Sequence, residues 1–240
     1  MQAMILAAGL GTRLRPWTLE HPKALVPVRG VPMLERVILR LREQGSTRIV
    51  VNVHHFAGQI VDFLGSKDFG IEIVISDETE RLLDTGGAIL NAASLFEPGP
   101  VLVHNVDILS NANLAELMVA HEKSQVDSTL LVSDRHSSRK LIFDADMGLR
   151  GWHNLKEDVY KPEEFVWREG YREYAFSGIH VVGEKALAEM KRVEKDRKFS
   201  IIDFLLSGEH QCKVSGYLQG GLELIDIGKP ETLKLASGLI

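Results

Sequence analysis

Strand-like and helix-like segments alternate along the first 133 residues, and this alternation restricts the fold more than any other feature of the chain. Apolar or β-branched runs predict strands at residues 4–8, 48–53, 71–76, 101–105 and 128–133. Apolar residues at helical spacing predict helices between them, at residues 33–44, 57–64, 85–95 and 114–123. Strands that are linked by crossover helices pair in parallel with right-handed connections. We therefore expect an α/β fold with a doubly wound, mostly parallel sheet.

The pattern changes after Asp134. Residues 135–167 are polar, with a turn at residues 144–148 between two short strands, which predicts a β-rich lobe. Further strands are predicted at residues 174–182, 213–218 and 223–227, and further helices at residues 185–193, 199–206 and 229–236. A chain of 240 residues with 45% hydrophobic residues can bury one large core. We expect a single domain over residues 1–240, with residues 1–133 and 134–240 as its two halves.

The charge, the cysteine content and the hydropathy pattern exclude several classes of protein. The formal net charge is −5, which offers no broad basic surface to nucleic acid. Cys212 is the only cysteine, so an internal disulfide and a cysteine-rich metal site are excluded. No apolar run reaches the length of a membrane span, and the first ten residues lack the basic start and cleavage site of a signal peptide. We expect a cytoplasmic monomer or small homo-oligomer that binds neither nucleic acid nor membrane.

The most specific motif follows the first predicted strand. Gly9, Gly11 and Thr12 form a turn directly after an apolar run, and Arg13 and Lys23 supply positive charge behind it. Glycines let a ligand approach the backbone closely, and successive turn amides form an anion site. Arginine adds a fork of donors and lysine a mobile charge. The set predicts a cradle for a triphosphate, although a turn of this kind also holds two glycines for steric reasons alone.

Two carboxylates end predicted strands in the later part of the chain. Asp107 follows the strand in VHNVDIL, and Asp226 ends the strand in ELIDIGKPE. Ligands of an open parallel sheet bind outside the carboxyl ends of its strands. Carboxylate oxygens are the ligands that Mg²⁺ prefers. The pair predicts a Mg²⁺ site, and the alternative for each residue is an aspartate of a turn or a helix start.

Two common phosphate-binding motifs do not fit the first segment, and a third signature does. No G-K-[ST] ends the loop, and Leu14 stands where the third glycine of the dinucleotide fingerprint belongs. The longer set, G-x-G-T-R-L-R-P followed by P-K-x-L-x-P-V, resembles the signature of the sugar-phosphate nucleotidyltransferases. This resemblance implies a Rossmann-like nucleotidyltransferase fold. It also implies an enzyme that joins a nucleoside triphosphate to a sugar 1-phosphate and releases pyrophosphate.

The resemblance implies a role for individual residues. Arg13, Lys23 and Asp107 would be catalytic, and Asp107 and Asp226 would hold Mg²⁺. Residues 1–133 would bind the nucleotide and residues 134–240 the sugar. The nucleotide contacts would come from Leu6, Ala7, Ala8, Gly9, Gly11, Thr12, Arg13, Lys23, Gly86, Gly87 and Asn105, and the sugar contacts from Ser177, Gly178 and Asp226.

Two of these positions need comment. We expect a helix to begin at Gly86 and Gly87 with free amides that contact the nucleotide, the alternative being a plain helix cap with glycines for close packing. The family usually has glycine directly before the metal aspartate, and this chain has Val106. Either Val106 points into the core or the sugar lies further out.

The substrate pair is suggested by shorter segments. The segments D-T-G-G-A-I and I-D-I-G most resemble those of family members that join UTP to N-acetylmuramic acid 1-phosphate in cell-wall recycling. The basic run at Arg135, Arg139 and Lys140 contains candidate partners for the carboxylate of that sugar.

Three alternatives remain open. One is a guanylyl- or thymidylyltransferase for mannose, heptose or glucose 1-phosphate. Another is a cytidylyltransferase for phosphocholine, for which Trp152 and Trp167 could form an aromatic cage. The third is an inactive regulatory subunit that binds a nucleotide sugar.

Overall fold

The computed structural model describes residues 1–193, 198–228 and 231–233, and its elements follow the predicted alternation. The strands are β1 (Gln2–Leu6), β2 (Pro27–Val28), β3 (Val31–Pro32), β4 (Arg48–Val53), β5 (Glu72–Asp77), β6 (Val101–Asn105), β7 (Ile108–Ser110), β8 (Ser128–Ser133), β9 (Arg139–Phe143), β10 (Leu149–Asn154), β11 (Val159–Lys161), β12 (Arg172–Val182), β13 (Val214–Leu218) and β14 (Leu224–Asp226). The helices are α1 (Met33–Glu43), α2 (Ala57–Gly65), α3 (Asp84–Asn91), α4 (Leu114–Ser124), α5 (Glu184–Val193) and α6 (Ile201–Leu206). Among the described residues, no helix is both long and apolar enough to cross a membrane.

The central sheet is mostly parallel, as predicted. β1 lies between β4 and β6 and is parallel to both, and β5 continues the parallel order beyond β4. β12 runs antiparallel to β6 and β8, and β13 is parallel to β8. Because β1 and β6 are parallel neighbours, the loops that follow them leave the sheet at the same edge.

Helices cover both faces of this sheet. Apolar side chains of α1, α2 and α4 pack on one face, and those of α3, α5 and α6 pack on the other. The two apolar layers confirm the doubly wound arrangement.

The β-rich lobe after Asp134 is also confirmed. β9, β10 and β11 are antiparallel, and the first residues of β12 pair with β9. The lobe therefore extends the central sheet through β12, on the side of β6 away from β1.

Several boundaries differ from the prediction. β1 ends at Leu6, so Ala7 and Ala8 belong to the following loop. α3 begins at Asp84, which takes a φ of 63°, and not at the two glycines. The sequence did not predict β2, β3, β7 and β11, because runs of two or three residues carry no periodicity. Of the predicted helix at residues 229–236, only residues 231–233 lie within the described part, and they are helical.

Candidate active site

The loop after β1 presents backbone amides at the carboxyl edge of the sheet. The amide of Ala7 donates to Oδ1 of Asn52 at 2.6 Å. The amides of residues 9–11 donate to no acceptor within the described part of the chain. No atom lies within 4 Å of the place that a Cβ on Gly9 would take. The loop therefore offers unpaired donors and open space to an anion.

Gly11 lets this loop pack against the segment of Lys23. Its φ is 62°, and a Cβ on Gly11 would lie 2.8 Å from Cβ of Lys23 and 2.9 Å from Cγ2 of Thr18. Oγ1 of Thr18 donates to the carbonyl of Gly11 at 2.8 Å. A side chain at position 11 would push the loop and the lysine apart.

Lys23 and Asp107 form an ion pair in the site. Their side chains are only 14% and 16% exposed, so solvent screens the pair less than a surface pair. Asp107 follows the end of β6 by two residues, while Lys23 comes from the segment after the glycine loop. The structure thus brings together two residues that the sequence assigned to one site.

A two-stranded ribbon brings Asp226 to the same edge. β7 and β14 pair antiparallel with Asp226 opposite Ile108. The amide of Ile227 donates to the carbonyl of Asp107 at 2.8 Å. The two aspartates therefore stand on backbone segments that are hydrogen-bonded to each other.

Arg13 reaches this ribbon from the glycine loop. Oδ1 of Asp226 accepts from the amide of Gly228 at 2.7 Å. A Cβ on Gly228 would lie 2.6 Å from Nη2 of Arg13 and 2.7 Å from Oδ1 of Asp226. Gly228 is thus a site residue that sequence analysis missed, and its place two residues after a candidate metal ligand was the available signal.

The donor set at this edge fits a Mg²⁺ ion. Mg²⁺ sites use one or two protein carboxylates together with water and substrate phosphate. Asp107 and Asp226 supply two carboxylates on adjacent backbone segments. No group of three or more His, Cys, Asp or Glu residues able to hold a metal occurs among the described residues. A metal held by this pair would complete its shell with water or phosphate.

Val106 stands where the family usually has glycine, and the structure shows which way its side chain points. Val106 is 4% exposed and packs in the core, and its amide donates to the carbonyl of Leu6 at 3.2 Å. Gly178 takes a φ of 71°, and a Cβ there would lie 2.8 Å from Nδ2 of Asn105. The valine side chain is thus accommodated in the core, and β12 lies against Asn105.

The side chain of Ser177 lies inside the fold. The residue is fully buried, and its Oγ has no hydrogen-bond partner among the described residues. The register of β12 against β8 shifts between Phe176 and His180. The side chains between these two residues therefore do not follow the regular alternation between the two faces of the sheet. The role of Ser177 in binding the sugar stays a prediction.

The amides of Gly86 and Gly87 are not free. Both donate to the carbonyl of Phe199, at 3.0 and 3.2 Å. A Cβ on Gly86 would lie 2.3 Å from Cε2 of Phe199. The prediction of unpaired donors at this helix start is wrong, because the glycines allow close packing against the segment before α6.

Arg135 is the member of the basic run that interacts electrostatically with Asp226. Its Nη2 donates to the carbonyl of Phe176 at 2.9 Å, and its Nε is buried without a partner. Burial lowers the pKa of the Arg135 guanidinium, and the negative charge of Asp226 opposes that shift. Arg135 therefore contacts β12 through its hydrogen bond and feels the charge of Asp226 at the end of β14.

The buried carboxyl of Glu78 supports the loop after β1 through Asn52. Nδ2 of Asn52 donates to Oε1 of Glu78 at 2.8 Å, while Oδ1 of Asn52 holds the amide of Ala7. Burial raises the pKa of the Glu78 carboxyl. Sequence analysis did not single out this network, because its members lie on three separate elements.

Comparison with known proteins gives a consistent result. The family model described as "Nucleotidyl transferase" matches residues 2–231. The chain is 42% identical over 244 residues to the N-acetylmuramate alpha-1-phosphate uridylyltransferase of Neisseria meningitidis serogroup B, covering 100% of this chain and 98% of that protein. It is 38% identical over 245 residues to the protein of the same name from Caulobacter vibrioides, covering 98% and 94%.

Solved structures share the fold. A putative glucose-1-phosphate thymidylyltransferase from Bacillus anthracis superposes with a TM-score of 0.80 over 100% of this chain and 95% of that chain. The two sequences are 18% identical, so this likeness concerns the fold alone.

Proposed function

The chain belongs to the nucleotidyl transferase family, as a sugar-1-phosphate nucleotidyltransferase, and we propose that its substrates are UTP and N-acetylmuramic acid 1-phosphate. The products are the UDP-sugar and pyrophosphate. The proposal is supported by the names of the two relatives that match nearly the whole chain at 42% and 38% identity. Since nucleoside triphosphates are made in the cytoplasm, we place the reaction there.

One observation carries the chemistry. Two cations from the segment after β1 lie near two carboxylates at the carboxyl edge of the sheet: Lys23 pairs with Asp107, and Arg13 and Asp226 both lie beside Gly228. An enzyme that joins two phosphate anions must neutralise their repulsion. Arg13 and Lys23 supply positive charge for this at the carboxyl edge of the sheet.

The reaction needs positioning and charge neutralisation but no general base. A phosphate oxygen of the sugar 1-phosphate is already an anion, and it attacks the α-phosphorus of UTP in line. The new bond joins that oxygen to the α-phosphorus, and the bond from the α-phosphorus to the bridging oxygen breaks as pyrophosphate leaves. We assign the β- and γ-phosphates to Arg13 and the loop amides, and the α-phosphate to Lys23.

We further propose Mg²⁺ as the cofactor, held by Asp107 and Asp226. When bound, the ion adds positive charge to the phosphates. The residues of this chain do the remaining work: the loop amides hold the triphosphate, and Lys23 shifts between Asp107 and the α-phosphate.

The phosphocholine alternative finds no support in the described residues. Nζ of Lys161 lies 5.3 Å from the ring centre of Trp152, so a cation of the protein already covers that ring. Trp167 contacts Phe165 and Tyr171, and no ring contact joins it to Trp152 in the described part. The inactive-subunit alternative is disfavoured because Arg13, Lys23, Asp107 and Asp226 are all present.

The test is a matrix of four nucleoside triphosphates against a panel of sugar 1-phosphates and phosphocholine, read as kcat/KM for pyrophosphate release. We expect the highest value for UTP with N-acetylmuramic acid 1-phosphate. A clear preference for GTP with mannose or heptose 1-phosphate would overturn the substrate assignment and leave nucleotidyl transfer standing.

A further inference from the structure

A cavity of about 440 Å³ lies between the β-rich lobe and α6, and its lining includes Trp152 and Phe176. Phe176 belongs to β12, and its carbonyl accepts a hydrogen bond from Arg135. Gly178, two residues further along β12, packs against Asn105. A sugar whose phosphate lies at Asp107 could therefore extend a substituent into this cavity.

The cavity contains more positive than negative side chains. Arg139, Lys140 and Lys161 line it together with one acid, Asp203. Nζ of Lys161 donates to Oδ1 of Asp203 at 2.6 Å, so these two charges compensate each other. The charges of Arg139 and Lys140 remain.

Neither remaining cation has an acidic partner among the described residues. Lys140 is only 9% exposed, and its ammonium donates to the neutral carbonyl of Arg135 at 2.8 Å. The guanidinium of Arg139 forms no hydrogen bond or ion pair in the part of the chain that the structure describes. A buried ammonium without an anion is costly, and a ligand that brings an anion would remove this cost.

We propose that this cavity binds a carboxylate substituent of the sugar, with Arg139 and Lys140 as its counter-ions. The inference rests on the proposed function, in which the carboxylate is the lactyl group of N-acetylmuramic acid. Phe176 supplies an apolar surface for the rest of the sugar, and Arg139 offers the planar fork that suits a carboxylate. A neutral sugar would leave both cations unpaired, and this makes the cavity a specificity determinant.

The experiment compares N-acetylmuramic acid 1-phosphate with its methyl ester, which has almost the same shape without the charge. We measure kcat/KM for both compounds with the wild type, Arg139→Gln and Lys140→Gln. Lys156→Gln is the matched control, because Lys156 is an exposed cation of the same lobe that does not line the cavity.

We expect the wild type to prefer the acid over the ester. Arg139→Gln should lower that acid-to-ester ratio by about 10- to 100-fold, the usual effect of losing a hydrogen bond to a charged group. The KM for UTP should not change, and Lys156→Gln should behave as the wild type. An unchanged ratio in Arg139→Gln would overturn the proposal. Since Arg139 is exposed, this variant remains informative even if Lys140→Gln fails to fold.

Calorimetric titration of the acid and the ester in the presence of a non-hydrolysable UTP analogue separates the two hypotheses. If the wild type turns over neither compound, the proposed function is wrong. The cavity proposal is then tested by binding alone, and it requires the acid to bind more tightly than the ester. A ratio near one in the wild type, in either assay, contradicts the cavity proposal irrespective of turnover.

Discussion

Lys23 and Asp107 form an ion pair between residues that lie 84 positions apart in the chain. The pair ties the segment after the glycine loop to the end of β6. In the proposed reaction a phosphate binds Lys23 and Mg²⁺ binds Asp107, so substrate and metal would each replace one partner of this pair.

The first prediction concerns the lysine. Lys23→Ala should reduce kcat by about 10²- to 10³-fold, because one charge contact to the reacting group is lost in a site with limited solvent access. Lys67→Ala is the control, since Lys67 also forms an ion pair, with Glu35, but on the outer surface. Circular dichroism should show both variants folded. A Lys23→Ala enzyme that keeps more than half of the wild-type rate would rule out this role.

The second prediction concerns the carboxylates. Asp107→Asn and Asp226→Asn should each raise the Mg²⁺ concentration for half-maximal activity by about tenfold or more, as expected when a metal site loses part of its support. Asp62→Asn, at an exposed position of α2, should leave the titration unchanged. If either variant titrates as the wild type does, that residue is not a ligand.

The third prediction separates the two loop glycines. Gly11→Ala should lower the free energy of unfolding by about 1–3 kcal/mol, because position 11 has a positive φ and no room beside Lys23. Gly9→Ala meets no atom within 4 Å and should leave the melting temperature unchanged. It should instead raise the KM for UTP, since a methyl group would stand where the triphosphate approaches. If the two substitutions changed the melting temperature equally and the KM for UTP equally, Gly11 would not be the residue needed for packing and Gly9 would not be the residue needed for triphosphate binding.

The fourth prediction concerns stability against acid. Burial lowers the pKa of His180 to about 3, and neither ring nitrogen has a hydrogen-bond partner among the described residues. The unfolded chain therefore takes up a proton below pH 6.5 that the folded chain does not accept, so stability is lost as the pH falls from 6.5 towards 3. At pH 5 this group should cost about 2 kcal/mol.

The measurement is urea unfolding of the wild type and His180→Leu at pH 7.5 and pH 5. The variant should lose less stability between the two values by about that amount. His136→Leu, at an exposed position, should show the pH dependence of the wild type. A His180→Leu protein with an unchanged pH dependence would show that the buried imidazole is not responsible.

Local patterns predicted the parts of the site that lie close in sequence. The run from β1 through Gly11 to Lys23 contains its own signal, because glycines, cations and prolines stand at short spacing. Asp107 could also be identified, since it follows a strongly apolar strand. Val106 was ambiguous, because its direction depends on packing across the sheet.

Long-range contacts account for what the sequence did not predict. Whether the Gly86 amide is free depends on the carbonyl of Phe199, which is distant in the chain. The inward hydroxyl of Ser177 depends on a register shift in β12. The pairing of β7 with β14, on which the position of Asp226 depends, joins two strands of three residues each. No periodicity in the sequence reports such a pair.

Transfer of the uridylyl group to the sugar phosphate determines where each phosphorus atom of UTP ends. UTP labelled at the α-phosphorus and UTP labelled at the β-phosphorus are incubated in separate reactions with N-acetylmuramic acid 1-phosphate. We predict that the α-label appears in the UDP-sugar and the β-label in pyrophosphate, in equal amounts, and that Lys23→Ala forms neither product at a comparable rate. Release of inorganic phosphate instead of pyrophosphate, or a β-label in the sugar product, would contradict the account.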